Sequence, residues 1–107
     1  MRVLLVSRLG LSNALIRELR KMGLREFVDY YKHRSSWRDE KDIIAIANAH
    51  KCDTIAVISN FHLAVRLLAN GVKTVFVIIP RLHTPTEIVS ADICMLEGEI
   101  KMTMTRV

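Results

Sequence analysis

The sequence contains few of the residues that mark disulfide-rich, linker-containing or membrane-spanning proteins. It has two cysteines, two prolines and four glycines in 107 residues. Two cysteines, Cys52 and Cys94, cannot form a disulfide framework, and their spacing is not that of a CxxC zinc or redox pair. No apolar run approaches a membrane span, and the short run in MRVLLVSRLG is too short for a secretion signal. We therefore expect a cytoplasmic protein that does not associate with a membrane.

The scarcity of proline and glycine also argues against a flexible linker between domains. The sequence shows no internal repeat and no low-complexity segment. Half of its residues are hydrophobic, which is enough to bury one modest core. Residues 1–107 are therefore predicted to form a single domain.

Acidic residues are scarce in the first third of the chain. Sixteen Lys and Arg against eleven Asp and Glu give a formal net charge of +5, and only three of the acids precede Ser35. A basic excess of this kind attracts phosphates, nucleic acid or an acidic protein surface. Charge alone does not choose among these partners.

Short apolar runs alternate with amphipathic stretches along most of the chain. Strands are predicted over 2–7, 26–31, 53–59, 73–79 and 93–96, and helix caps at Ser12, Ser36 and Asn60. Thr84, Pro85 and Glu87 together resemble a further helix start. This alternation predicts a Rossmann-like, three-layer α/β/α sandwich with a mainly parallel sheet of four to five strands.

The tail differs from the rest because apolar and polar residues alternate after Gly98. This period of two predicts an added edge strand at 99–107. Such an edge could pair with a second copy of the chain, but Lys101 and Arg106 are residues that commonly protect an edge from pairing. We slightly favour the unpaired edge.

Polar and basic residues follow the predicted strands, and the carboxyl ends of parallel strands meet at one edge of a sheet. The candidate phosphate-binding residues are Ser7, Arg8, Lys32, Arg34, Asn60 and Arg81. The candidate general acids and bases are His33, His62 and His83. Simpler interpretations exist, since Asn60 is also a good helix cap and isolated histidines are commonly surface residues. Trp37 is interpreted as a partly buried anchor rather than a base-stacking platform.

Four stretches occur in a characteristic order: DIIAIANAH, DTIAVISNF, HLAVRLLANGVKTVFVI and SADICML. Over roughly half the chain this series resembles the NYN branch of the PIN-like nuclease superfamily. The resemblance implies a PIN-like fold in which carboxylates at the strand ends hold a divalent metal that activates water against a phosphodiester.

The positions that correspond to the metal-binding carboxylates are largely neutral in this sequence. They are Ser7, Asp42, Asn48 and Asn60. Neutral oxygens cannot offset the dehydration of Mg²⁺ or Mn²⁺, so we expect no metal cofactor and no metal-dependent cleavage. A residual metal site formed by Asp39, Glu40 and Asp42 is the less favoured alternative, because those acids also suit a helix N-terminus.

The turn from Ser7 to Ser12 also resembles the phosphate loop of sugar-phosphotransferase IIB proteins. Ser7 stands where those proteins have a nucleophilic cysteine, so a phosphocysteine intermediate cannot form. The loop amides could still bind a phosphate.

Three functions remain open at this point. The leading hypothesis is a PIN-like domain that binds RNA or DNA through its basic strand ends without cutting it. The second is a metal-independent ribonuclease that uses two of the three candidate histidines. The third is a protein-interaction module, for example a homodimer formed through the tail.

Overall fold

The computed structural model describes residues 1–98 and 101–107. Within them the chain forms three α-helices, seven strands and one 3₁₀ turn at Tyr30–Lys32. The helices are α1 (Asn13–Lys21), α2 (Glu40–Ala49) and α3 (Phe61–Ala69). The strands are β1 (Arg2–Val6), β2 (Gly10–Leu11), β3 (Glu26–Asp29), β4 (Thr54–Ile58), β5 (Thr74–His83), β6 (Glu87–Glu97) and β7 (Lys101–Arg106).

The protein is a mixed α/β fold with a curled, mostly parallel sheet. The strand order is β2-β6-β5-β4-β1-β3, and β7 also pairs with β6. The adjacent strands β3, β1, β4 and β5 run parallel to one another, whereas β6 is antiparallel to both β5 and β7. The prediction of four to five strands is therefore wrong for the described residues, because β2 and β7 join the five strands that the sequence predicted.

Apolar residues line both faces of the central strands, as a sheet covered on two sides requires. In β1, Leu4 and Val6 belong to one buried cluster and Val3 and Leu5 to the other. The first cluster contains the buried apolar residues of α2 and α3, and the second contains those of α1. Continuous apolar runs in the sequence thus produce two cores, one on each face.

Local signals place α1 and α3 where the sequence predicted them. The side chain of Ser12 accepts a hydrogen bond from the Leu15 amide, and that of Asn60 accepts one from the Leu63 amide. Both are N-cap bonds that satisfy an otherwise orphan helix donor. Gly23 follows α1 at φ 96° and Gly71 follows α3 at φ 97°, a conformation that glycine adopts without strain.

The second helix begins later than predicted and contacts α3 at its start and β1 at its end. Asp39 rather than Ser36 caps it, accepting a hydrogen bond from the Lys41 amide. At its start, Glu40 contacts Arg66 and Asn70 of α3 and its C-cap. At its far end, the His50 carbonyl accepts a hydrogen bond from Arg2 at the start of β1.

The helix predicted after Thr84 is wrong. Residues 84–86 form the turn of the β5–β6 hairpin, closed by a hydrogen bond of 2.8 Å from the Thr84 amide to the Glu87 carbonyl. The Thr84 hydroxyl accepts from the amides of Thr86 and Glu87, which is the bonding expected of a helix cap. The chain then continues as β6, which is much longer than the predicted strand at 93–96.

The tail predicted as an edge strand over 99–107 contains β7, which is antiparallel to the second half of β6. Val107 and Ala91 exchange backbone hydrogen bonds, so the pairing extends to the last residue. The first two positions of that predicted strand, Glu99 and Ile100, lie outside the described residues. Over the described chain, none of the helices combines the length and apolar character needed to cross a membrane.

Candidate functional site

The topology creates a crevice between the carboxyl ends of β1 and β4. From β1 the chain passes through β2 and α1 to β3 on one side of β1, and from β3 it passes through α2 to β4 on the other side. Ligands of open α/β sheets bind where the connections diverge in this way. A cavity of about 310 Å³, called here the strand-end cavity, lies at this point. Its lining residues are Val6, Ser7, Arg8, Leu9, Tyr31, Trp37, Val57, Ile58, Asn60 and Leu63.

Arg8 is held in place at the mouth of the strand-end cavity. The carbon at the centre of its guanidinium lies 4.2 Å from the centroid of the Tyr31 ring. One of its terminal nitrogens also donates to the Ser35 carbonyl at 3.1 Å. A guanidinium stacked on an aromatic face keeps its remaining N–H groups in its own plane. Arg8 is exposed, so those groups are accessible to an anion.

The segment that carries Tyr31 is ordered by its own hydrogen bonds. The Tyr30 ring is fully buried, and its hydroxyl donates to the Ser36 carbonyl at 2.8 Å. Burial raises the pKa of Tyr30, so the hydroxyl keeps the proton that it donates. The amides of His33 and Arg34 both donate to the Tyr30 carbonyl. These hydrogen bonds connect the loop to the buried Tyr30.

Asp42 lies in a second, polar recess, formed by His33, Arg34, Ser35, Ser36, Arg38 and Asp42. Arg38 contacts both oxygens of the Asp42 carboxylate at 3.1 Å and donates its backbone amide at 3.0 Å, and Arg34 approaches to 3.5 Å. The Arg38 side chain and backbone bonds, with the charges of Arg38 and Arg34, lower the pKa of Asp42 from 3.8 to about 2. Two cations on one acid leave the recess with a basic excess.

The other two acids of the suggested residual metal site are also engaged. Asp39 caps α2. Glu40 lies 3.0 Å from Arg66, at an angle outside hydrogen-bond geometry, and its other oxygen accepts from Asn70 at 3.3 Å. Among the described residues, no group of three or more His, Cys, Asp and Glu side chains is arranged to hold a metal.

Ser7 and Asn60 lie together at the strand-end cavity, as the sequence predicted. The Ser7 hydroxyl is buried and bonds the Leu9 amide and carbonyl, which fixes the turn after β1. Asn60 uses its side-chain oxygen as the cap of α3. Ser59, between β4 and Asn60, has φ 54°, a left-handed conformation that costs a non-glycine residue energy.

Asn48 lies at the opposite end of the sheet. It lines a cavity of about 390 Å³ between the C-terminal ends of α2 and α3, called here the amino-end cavity, together with Asp53 and Lys73, the residues that precede β4 and β5. The four positions expected to form a vestigial metal site are thus divided among three cavities. The predicted grouping of Ser7, Asp42, Asn48 and Asn60 is not assembled, so these residues do not fit a shared metal ion.

Arg81 lines none of the three cavities described above. Its guanidinium is 3.5 Å from Asp92 of β6 and donates to the Val107 carbonyl at 3.4 Å. Asp92 also binds Arg106 of β7 at 3.1 Å. Arg8 and Arg34 belong to one continuous surface through Ser35, whereas Arg81 binds within the β5–β6–β7 part of the sheet.

The three candidate histidines are attached to different elements. His33 lines the Asp42 recess, and its ring centroid lies 4.0 Å from that of His50. His62 is exposed in the first turn of α3. His83 is exposed at the end of β5 and contacts the Thr84 carbonyl through Nδ1. Of these three histidines, only His33 lines one of the three cavities described above.

Two further residues belong to the site. Trp37 is half-buried and lines the strand-end cavity, and Arg38 holds Asp42. Trp37 is partly buried, as predicted, whereas Arg38 was not singled out, because only the fold brings these residues beside the end of β1 and Asp42. No family model, curated protein or solved structure matches the chain.

Proposed function

We propose that the protein binds RNA or DNA through the mouth of the strand-end cavity, without metal-dependent cleavage. The observation that carries this proposal is the position of Arg8, fixed between Tyr31 and Ser35 with its remaining N–H groups accessible. Lys32 and Arg34 lie on the same loop as these two contacts. Fixed cations beside an apolar cavity suit a polymer that presents both phosphates and bases.

We also propose that the fold is a divergent PIN-like domain with the layers of an α/β/α sandwich. The parallel order β3-β1-β4-β5 and the two buried clusters on opposite faces support it. The engaged carboxylates of Asp39, Glu40 and Asp42 support the loss of metal-dependent cleavage. The separation of the three candidate histidines weighs against a metal-independent ribonuclease, since a general acid and base must reach the same phosphodiester.

The proposal is tested by fluorescence anisotropy with labelled single-stranded RNA, single-stranded DNA and duplex DNA. We expect affinity to fall steeply between about 50 and 200 mM salt, because phosphate contacts release counterions. The double substitution Arg8→Gln and Lys32→Gln should weaken binding about tenfold or more and reduce the salt slope by about 2.

The matched control is Arg17→Gln with Arg20→Gln, which removes two exposed cations from α1. Both double variants lower the net charge equally. If they weaken binding to the same extent, the interaction is a general effect of charge, and the proposed site is wrong.

A homodimer formed through the tail is the alternative function. β7 pairs with β6 alone among the described strands, and Met104 is 55% exposed on it. Light scattering as a function of concentration tests this directly. A concentration-independent monomer would exclude it.

A further inference from the structure

We infer that the strand-end cavity accepts an unstacked nucleobase, with Arg8 at its mouth binding the phosphate attached to that base. This inference rests on the proposed function, because both use Arg8. It adds a ligand for the cavity itself, which phosphate binding along the rim does not require. The base could belong to a free nucleotide or to a single strand, and the chemistry recognised is the same.

The composition of the cavity wall favours a planar, mostly apolar group. Val6, Leu9, Val57, Ile58 and Leu63 supply aliphatic surface, and Trp37 supplies an aromatic ring. Small-molecule pockets are lined mainly by such side chains, with a few polar groups that fix orientation. At about 310 Å³ the cavity is at the small end of the range for ligand pockets, about 300–1,000 Å³.

The polar groups are placed where a base with its phosphate would need them. Asn60 lines the cavity, and its side-chain oxygen is occupied by the Leu63 amide. Within the described part of the chain its amide nitrogen has no assigned hydrogen-bond partner, so it can donate to a base edge. Arg8 is exposed at the mouth with its guanidinium fixed. A base inside and a phosphate outside would satisfy both groups.

The alternative occupant, a phosphate alone, fits the wall less well. Five of the ten lining residues have aliphatic side chains, which offer a phosphate no hydrogen bond. Burying an anion against such a surface costs solvation energy that Arg8 alone would have to offset. A free phosphate would therefore stay at the mouth and leave the cavity empty.

Trp37 provides an internal reporter because it is the single tryptophan of the chain. The experiment titrates the full protein with AMP, CMP, GMP and UMP, and in parallel with ribose 5-phosphate and inorganic phosphate. We expect saturable changes in Trp37 emission with nucleotides, corrected for their absorbance, and at least a tenfold weaker response to the two base-free probes. Equal responses to nucleotides and ribose 5-phosphate would overturn the inference.

A filling variant tests the location. Leu63→Phe places a larger side chain against the strand-end cavity, in the same cluster as Val6 and Val57, and should weaken nucleotide binding at least fivefold. The matched control is Ile44→Phe, an aliphatic-to-phenylalanine change at a residue that lines the amino-end cavity instead. Melting temperatures report whether each variant folds. If Leu63→Phe does not fold, Trp37→Leu replaces it, with binding followed by saturation-transfer NMR of the base protons.

The two sources of the base are separated with single strands that carry or lack an abasic position. Tighter binding of the intact strand indicates a base supplied by a polymer, and equal binding together with nucleotide binding indicates a free nucleotide. Unchanged nucleotide binding in the folded filling variant excludes the cavity. Salt-dependent strand binding without any nucleotide response would overturn this inference but not the proposed function. A nucleotide response without strand binding would overturn the proposed function but not this inference.

Discussion

The guanidinium of Arg8 stacks on the ring of Tyr31, with 4.2 Å between its central carbon and the ring centroid. Tyr31 in turn meets Tyr30 edge to face, with centroids 5.2 Å apart. Tyr30 is fully buried, so the stack connects the basic rim to the core. An exposed arginine held in this way loses less conformational freedom on binding an anion than a free one.

This stack predicts different outcomes for two substitutions of Tyr31. Tyr31→Phe keeps the aromatic face and should leave nucleic-acid affinity unchanged. Tyr31→Leu removes the face and should weaken binding about two- to fivefold, since an exposed cation–π contact contributes about 0.5–1 kcal/mol. Anisotropy at low salt with a strand of about 12 nucleotides measures both. Equal affinity of the two variants would show that the ring does not position Arg8.

Local sequence signals predicted α1, α3 and the central strands because the physics involved is local. Ser12 and Asn60 form cap bonds within a few residues, and the apolar runs of β1 and β4 are typical of strands buried on both faces. The same local reasoning gave a wrong prediction for the turn after β5, where it indicated a helix. The Thr84 hydroxyl accepts hydrogen bonds from the Thr86 and Glu87 amides at this turn. A threonine that caps a helix accepts the same bonds, so the local pattern could not distinguish a turn from a helix start.

The remaining errors come from contacts between residues distant in sequence. β2 exists because Gly10 and Ser12 pair with the hairpin, and no local pattern signals that. Arg81 was expected with Arg8 because both follow strands, but Asp92 and Val107 on neighbouring strands bind it elsewhere. Asn48 was expected at the carboxyl ends of the strands, but the fold places it beside Asp53 and Lys73, which precede β4 and β5.

Asn60 provides a test of whether a neutral strand-end cavity matters. Asn60→Asp keeps the cap of α3, because aspartate caps as well as asparagine, so the free energy of unfolding should hardly change. Asn60→Ala should lower it by about 1 kcal/mol. Asn60→Asp also replaces the side-chain amide donor with an anionic acceptor, which should weaken nucleic-acid binding about fivefold, equivalent to about 1 kcal/mol for one lost hydrogen bond. Undiminished affinity in a folded Asn60→Asp protein would contradict a contact between Asn60 and the bound strand.

Divalent metal ions should not stabilise the protein. Arginines engage Glu40 and Asp42, and Asp39 caps a helix, so an ion would have to displace existing partners. We expect the melting temperature to be the same in millimolar Mn²⁺ and in EDTA. A ligand at about 100 times its dissociation constant would add about 2.7 kcal/mol, which thermal denaturation detects easily. A clear rise in Mn²⁺ that Asp42→Asn abolishes would restore the metal-nuclease alternative.

The Asp42 pairing predicts how stability depends on pH in acid. Hydrogen bonds from Arg38, together with the charges of Arg38 and Arg34, lower the Asp42 pKa from 3.8 to about 2 in the folded protein. The unfolded chain then binds the proton more readily, so this contribution is fully present above about pH 4 and is lost as pH falls towards 2. Asp42→Asn removes the titrating group and should flatten the fall in unfolding free energy over that range. Urea denaturation from pH 2 to 7 measures the curves, and Glu18→Gln, which loses only an exposed pair with Lys21, is the control. Parallel curves for the wild type and Asp42→Asn below pH 4 would show that Arg38 does not bind Asp42 in solution.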